Sequence, residues 1–221
     1  GLEAIRLANG RIFIYRGCPI RAGCTVFSDA HASYVMSNQT QKYKNMDESI
    51  KMMNLWFQAE WAVFQNPERF EGVKKGLKVR FDKNVEDEVK RAVKEFCKWL
   101  REIFLFPIQI VIYIKNTDYV KLQNGEKVSA KFWGPYIDTK MPYASIAVGW
   151  FDSELTGAAK DNQLATILCS IGHELSHYYQ WLSDPKWSEE KSKAEIMREE
   201  RQAKYYSKQI VDYYANTREH P

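Results

Sequence analysis

Hydrophobic and polar positions follow several distinct rhythms along the chain. Residues 11–16, RIFIYR, alternate with period two and predict a short strand. Residues 17–44 are rich in Gly, Ser and polar side chains and keep no rhythm. Over 47–65, Ile50, Met53, Phe57, Trp61 and Phe64 recur at helical spacing and Pro67 follows, which predicts a helix with a bulky core face. Residues 85–105 carry the clearest helical stripe: Val89, Ala92, Val93, Phe96, Cys97, Leu100 and Phe104. Glu86, Asp87 and Glu88 open it, where the helix dipole favours anions, and Pro107 closes it.

The next run, IQIVIYIK at 108–115, puts Ile108, Ile110, Ile112 and Ile114 on one face of a strand. A helix that leads straight into a strand suggests an α+β layer rather than a bundle. Residues 116–142 read as turns and short strands, with a hairpin signal at Asn124-Gly125. YASIAVGW at 143–150 alternates again. Ile146, Val148 and Trp150 point one way; the small residues Ser145, Ala147 and Gly149 point the other, where a second backbone can approach closely. Two long helices complete the pattern. One covers 161–182 and stops at Ser183-Asp184-Pro185. The other covers 188–215, with Ser188 as N-cap and Glu189 and Glu190 behind it.

The first of these helices carries the candidate chemistry. Ile167, Leu168, Ile171, Leu175, Tyr178 and Leu182 make an apolar stripe, while Thr166, Ser170, His173, His177 and Gln180 make a polar one. His173 and His177 lie four residues apart, so both imidazoles leave one face and suit a single tetrahedral ion. Glu174 stands beside that pair without joining it. There it can take a proton from water whose pKa zinc lowers to about 7. The bland alternative is a helix that carries two histidines and a glutamate by chance.

A third ligand must come from elsewhere. On the last helix a seam runs through Ile196, Glu200, Ala203, Ser207, Ile210 and Tyr214, so Glu200 interrupts a core-facing stripe. A buried carboxylate protonates, pairs or binds a metal. Glu195 and Glu199 are the lesser candidates, rotated about 140° and about 100° from Glu200 around the helix.

His173-Glu174-Leu175-Ser176-His177, followed by Glu200-Arg201-Gln202-Ala203, resembles the gluzincin metallopeptidases. The resemblance spans about residues 85–215. It implies a zincin-like domain at 85–221 with a small sheet, a backing helix, an active-site helix and a glutamate helix. It also implies Zn2+ on His173, His177 and Glu200, with Glu174 as general base. Strand 143–150 is then the edge strand along which a peptide or protein substrate lies. Many gluzincins carry an acidic residue four after the ligand Glu, where it orients a zinc-bound histidine. Lys204 stands there in this chain, so either another group holds the imidazole or the register differs. Tyr205 and Tyr206 are candidates to reach an oxyanion, or packing residues. Residues 1–84 are an N-terminal region assigned to no family.

Composition narrows the remaining classes. Of 221 residues, 45% are hydrophobic and 14% aromatic, enough to bury a core. A net charge of +4, with mixed signs, argues against nucleic-acid binding, although Arg11, Tyr15, Arg16, Arg21 and Phe27 leave it open for the N-terminal region. No run is apolar enough to predict a membrane span. The first residues, GLEAIRLANGRIF, lack a signal-peptide pattern and begin with Gly, as a processed start does. Four cysteines are too few for a disulfide scaffold and fit a reducing cytosol; Cys97 and Cys169 read as core residues. Cys18, Cys24 and His31 lack a fourth partner for a zinc knuckle, and the sequon at Asn38 is taken as chance. The expected function is zinc-dependent peptide hydrolysis. The competing reading is a non-catalytic zinc-binding regulatory or interaction domain on the same scaffold.

Overall fold

The apolar runs of period two at 108–115 and 143–150 meet in one mixed sheet, and helical stripes cover one face of it. A computed structural model of the chain describes residues 2–6, 12–16, 55–135, 140–184 and 191–217. It divides into two units, Gly1–Asp47 and Glu48–Pro221. In the first unit β1 (Leu2–Arg6) pairs antiparallel with β2 (Ile12–Arg16), with Leu2 opposite Arg16 and Arg6 opposite Ile12. The strand expected at 11–16 is therefore one arm of a hairpin. The expected loop cysteines Cys18 and Cys24, and His31, lie outside the described residues.

The second unit holds α1 (Leu55–Gln65), β3 (Leu77–Phe81), α2 (Asp87–Ile103), β4 (Ile110–Lys115), β5 (Val120–Lys121), β6 (Lys127–Val128), β7 (Ala130–Trp133), β8 (Tyr143–Ala147), α3 (Gly157–Ser183) and α4 (Lys193–Asn216). Its sheet has the order β3-β4-β8-β7, with β7 antiparallel to β8 and the other neighbours parallel. The registers align Leu77 with Ile110, Ile112 with Ala144, and Phe132 with Ala144 across the three pairings. One face therefore carries Ile110, Ile112, Ile114, Ala144 and Ile146, all buried. Val89, Val93, Phe96, Cys97 and Leu100 of α2 and Ile167, Ile171 and Leu175 of α3 join the same core. Burial pushes the Cys97 thiol up to about 12, so it is a packing group and not a nucleophile. The molecule is thus α+β, and the helical and strand periods read from the sequence are the ones that form.

Four expectations change. Strand 143–150 is not an edge: β8 stops at Ala147 and lies between β4 and β7, so β7 is the antiparallel edge. Ala130–Trp133 is one of the short strands expected within 116–142. The division expected at 84/85 falls instead at 47/48, because β3 pairs with β4 and Leu55, Ala59, Ala62, Phe70 and Leu77 enter the main core. Leu55, Ala59 and Ala62 of α1 are buried and Phe64 of the expected stripe is 43% exposed, while Ile50, Met53 and the side chains of Phe57 and Trp61 lie outside what is described. Ser188 lies outside the described residues, and α4 begins later, capped by Ser192 in a reciprocal arrangement with Glu195.

Other local signals hold. Gly125, with φ of 84°, turns β5 into β6 through the Asn124-Gly125 pair. A side chain at Gly149 would meet the Thr117 carbonyl carbon at 2.7 Å, so the small-residue face does admit a second backbone. Among the described residues no helix is long and apolar enough to cross a membrane.

Tyr178 fixes α3 against the sheet. Its hydroxyl donates to the Ile108 carbonyl at 2.6 Å and accepts from the Ile108 N–H at 3.3 Å, just before β4. Burial raises the pKa of its phenol, so the hydroxyl remains a donor. Tyr178→Phe strands both backbone groups in the core. It should cost about 1–3 kcal/mol, read as a lower urea midpoint with an unchanged slope. An unchanged midpoint would show that Ile108 is satisfied by other means.

Candidate metal site

From Leu164 onward α3 is buried on most sides, and its polar stripe is the side that opens. His173 and His177 sit one turn apart there, rings edge to face with centroids 4.8 Å apart and Nε2 atoms 3.2 Å apart. Glu200 of α4 closes a triangle with them. Its Oε2 lies 3.3 Å from His173 Nε2, and its Oε1 lies 3.3 Å from His177 Nε2. Ligands about 2.0–2.1 Å from one tetrahedral ion stand about 3.3 Å from each other, so the three side chains have the spacing a zinc ion requires. Two imidazoles and a carboxylate also have the right chemistry. Among the described residues this is the one group of three His, Cys, Asp or Glu donors within reach of a single ion.

A close helix crossing brings Glu200 there. A Cβ on Gly172 would lie 3.2 Å from Ser207 Cα and 3.3 Å from the Ser207 carbonyl oxygen, so any larger residue would push α4 back by a few tenths of an ångström. Ala203, Ser207, Ile210 and Tyr214 form the buried side of α4, and Tyr214 packs edge-on against Phe96 of α2 with centroids 4.9 Å apart. The expected seam is real from Ala203 onward. Before it, Ile196 is 47% exposed and the Glu200 side chain 54% exposed, because α4 leaves the core there. Glu200 is thus not the buried carboxylate the seam implied; it reaches the histidines from the rim.

The other two carboxylates have different tasks. Glu195 accepts from Ser192 at the helix start, and Glu199 pairs with Lys191 Nζ at 2.6 Å. Lys191 also meets Asp184 at 3.0 Å, which ties the end of α3 to the first turns of α4. Glu174 remains outside the triangle and is buried. Tyr206 is part of the core, Tyr205 is exposed, and Lys204 is exposed.

The four ionisable groups pull against each other. Burial pushes the Glu174 carboxyl up to about 7; the His177 charge opposes this and the Glu200 charge adds to it. Burial lowers His173, helped by the neighbouring His177, against the pull of Glu200. For His177 burial also acts downward. Its bond to Glu200, the Glu174 and Glu200 charges and the bond to Gln180 outweigh it, and the net direction is up. The hydrogen bond from His177 holds Glu200 below the usual carboxylate range. A dication in the triangle would lower Glu174 as well.

Sequence reasoning left open what orients the imidazoles. Gln180 Oε1 lies 2.7 Å from His177 Nδ1, and Gln180 Nε2 donates to the Glu199 carbonyl at 3.0 Å and to Gln202 Oε1 at 2.8 Å. The signal was present: Gln180 follows His177 by three on the same polar stripe, within side-chain reach. No protein family, curated protein or solved structure matches the chain.

Two expectations follow from this geometry. Glu200→Ala should abolish tight zinc binding, whereas Glu195→Ala and Glu199→Ala should retain it; zinc titration of the three variants decides, and full zinc uptake by Glu200→Ala refutes the triangle. Gly172→Ala should cost about 1–3 kcal/mol through overpacking against Ser207 backbone and weaken zinc binding as α4 shifts. Denaturation and zinc affinity matching the wild type would show that the crossing can absorb a methyl group.

Proposed function

We propose that the chain is a zinc-dependent peptidase of zincin-like architecture, with His173, His177 and Glu200 as metal ligands and Glu174 as general base. The observation that carries this reading is the convergence of three donors with one side left to solvent. The His173 side chain is 28% exposed and that of Glu200 54%. Metal sites that only hold a fold are closed by four protein ligands, while catalytic sites keep one position for water or substrate. The layout also fits: α2 as backing helix, α3 as active-site helix, α4 as glutamate helix, and an antiparallel edge strand beside them.

When bound, zinc supplies Lewis acidity that makes water ionise near neutral pH and polarises a carbonyl. The chain's own groups do the rest. Glu174, next to the ligands and buried, takes the proton of the attacking water on its carboxylate and passes it to the departing amine. A carboxyl whose resting pKa is raised by burial is suited to both halves of that transfer. His173 and His177 hold their position through the helix rather than by moving protons. The outer edge of β7 has no strand partner among the described residues and offers Ala130–Trp133 as a backbone template for an extended peptide.

Glu174→Gln tests the assignment. It should keep zinc and the fold, because Glu174 is not one of the three donors, and it should lower peptide hydrolysis by about 10²–10⁴-fold. Wild-type turnover in this variant removes Glu174 from the mechanism. A zinc-loaded wild type that cleaves nothing in a broad peptide library favours the non-catalytic zinc-binding domain instead.

A further inference from the structure

The hydrogen bonds around Gln180 determine which way its amide faces. The Glu199 carbonyl can only accept, and it lies 3.0 Å from one end of the amide. That end must therefore be the nitrogen. Its second hydrogen goes to Gln202 Oε1 at 2.8 Å. The oxygen end then faces His177 Nδ1 at 2.7 Å, and an amide oxygen only accepts. His177 Nδ1 must therefore carry a proton. Nε2 faces His173 and the Glu200 carboxylate, which also only accepts; without a metal Nε2 donates to Glu200, and it is the nitrogen left for a metal that takes that proton's place.

We propose that Gln180 is the positioning residue of this site: its carbonyl accepts from His177 Nδ1–H and so presents Nε2 to a metal, and its amide nitrogen holds α4 in the register that sets Glu200 opposite. The proposal rests on the zinc reading for its purpose, though not for its geometry. One side chain on α3 thereby ties together two ligands from different helices. Its bond to the Glu199 carbonyl grips α4 at the residue before Glu200, and its bond to Gln202 grips it two residues after. The task that resemblance assigned to an acidic residue four after Glu200 falls here to a neutral amide on the other helix, and Lys204 is released from it. A neutral partner also has a chemical consequence. It orients the imidazole without placing another negative charge beside Glu174, whose ionisation the Glu200 charge already opposes.

The decisive measurement is zinc affinity of the full chain, read together with hydrogen exchange at His177 Nδ1–H by nitrogen-15 NMR. With zinc bound, the wild type should keep a slowly exchanging Nδ1–H. Gln180→Leu, similar in size and without polar atoms, should lose that protection and bind zinc about 10–100-fold more weakly. Gln180→Glu keeps an acceptor for Nδ1–H and should bind zinc more tightly than Gln180→Leu, a recovery that a merely space-filling role would not produce. Gln180→Leu with wild-type zinc affinity and wild-type exchange overturns the proposal. Should that variant fail to fold, a wild type whose zinc-bound Nδ1–H exchanges as freely as a solvent-exposed imidazole overturns it. A wild type that takes up no zinc ends the zinc reading; exchange at Nδ1–H in the metal-free chain then judges Gln180 by itself, slow exchange in support and free exchange against.

Discussion

The approach of α4 to α3 at Gly172 governs the candidate site. A methyl group at Gly172 would press on Ser207 backbone at 3.2–3.3 Å, and backbone cannot rotate away as a side chain can. Glu200 lies about two turns before Ser207 on α4, so any shift at the crossing is carried by a stiff helix to the carboxylate. The other end of α4 is anchored by Tyr214 against Phe96, and its start by Lys191, which meets both Asp184 and Glu199. α3 is held in turn by Tyr178 at the start of β4 and by the Trp181 Nε1 bond to the Pro135 carbonyl at 3.1 Å. A polar triangle with sides near 3.3 Å is therefore fixed by contacts that are mostly apolar or backbone and lie outside it.

Burial across that triangle and the Glu174 carboxyl beside it is graded. Glu174 lies deepest and Glu200 is the most exposed, with the histidines between. Burial dominates the shift of Glu174, while the hydrogen bond from His177 dominates that of Glu200. Two glutamates of the same intrinsic acidity are thereby pushed apart. One is kept ionised as an acceptor for the imidazoles, and the other is brought to where it can gain or lose a proton near neutral pH. Separating two carboxylates by environment in this way is a general route to distinct acid–base roles on one scaffold.

Much of this was legible in the sequence, for identifiable reasons. The stripe on residues 85–105 and the alternation at 108–115 are long, pure periods, and both elements formed with the faces they announced. His173 and His177 were readable as a pair because helical spacing alone fixes their common face, with Glu174 beside it. What was not legible depended on tertiary context. The four residues Ala130–Trp133 became the edge strand only because β8 offered a partner. β3 was missed, and with it the boundary at 47/48, because LKVRF mixes charge into a strand of which only Leu77 is buried and which forms by pairing with β4. Gln180 sat on the right stripe, but its meaning depends on a carbonyl from α4.

Glu200 was reached through a premise that failed, and the failure bears on what the site is for. The argument required a carboxylate buried in a seam, yet half of its side chain meets solvent. A fully buried Glu200 would have enclosed the triangle, and a bound ion would then have served to neutralise a costly charge in the core. The helices as they stand need no such help. Ala203, Ser207, Ile210 and Tyr214 pack α4 onto the core past the point where Glu200 leaves it, and among the described residues no buried side-chain polar atom lacks a partner. An ion at the rim of a crossing already held by packing contributes less to cohesion than it offers in reactivity. An ion bound there would keep an open side toward the water that half-exposed Glu200 meets. That balance separates a catalytic metal from a structural one more directly than the identity of the three ligands does.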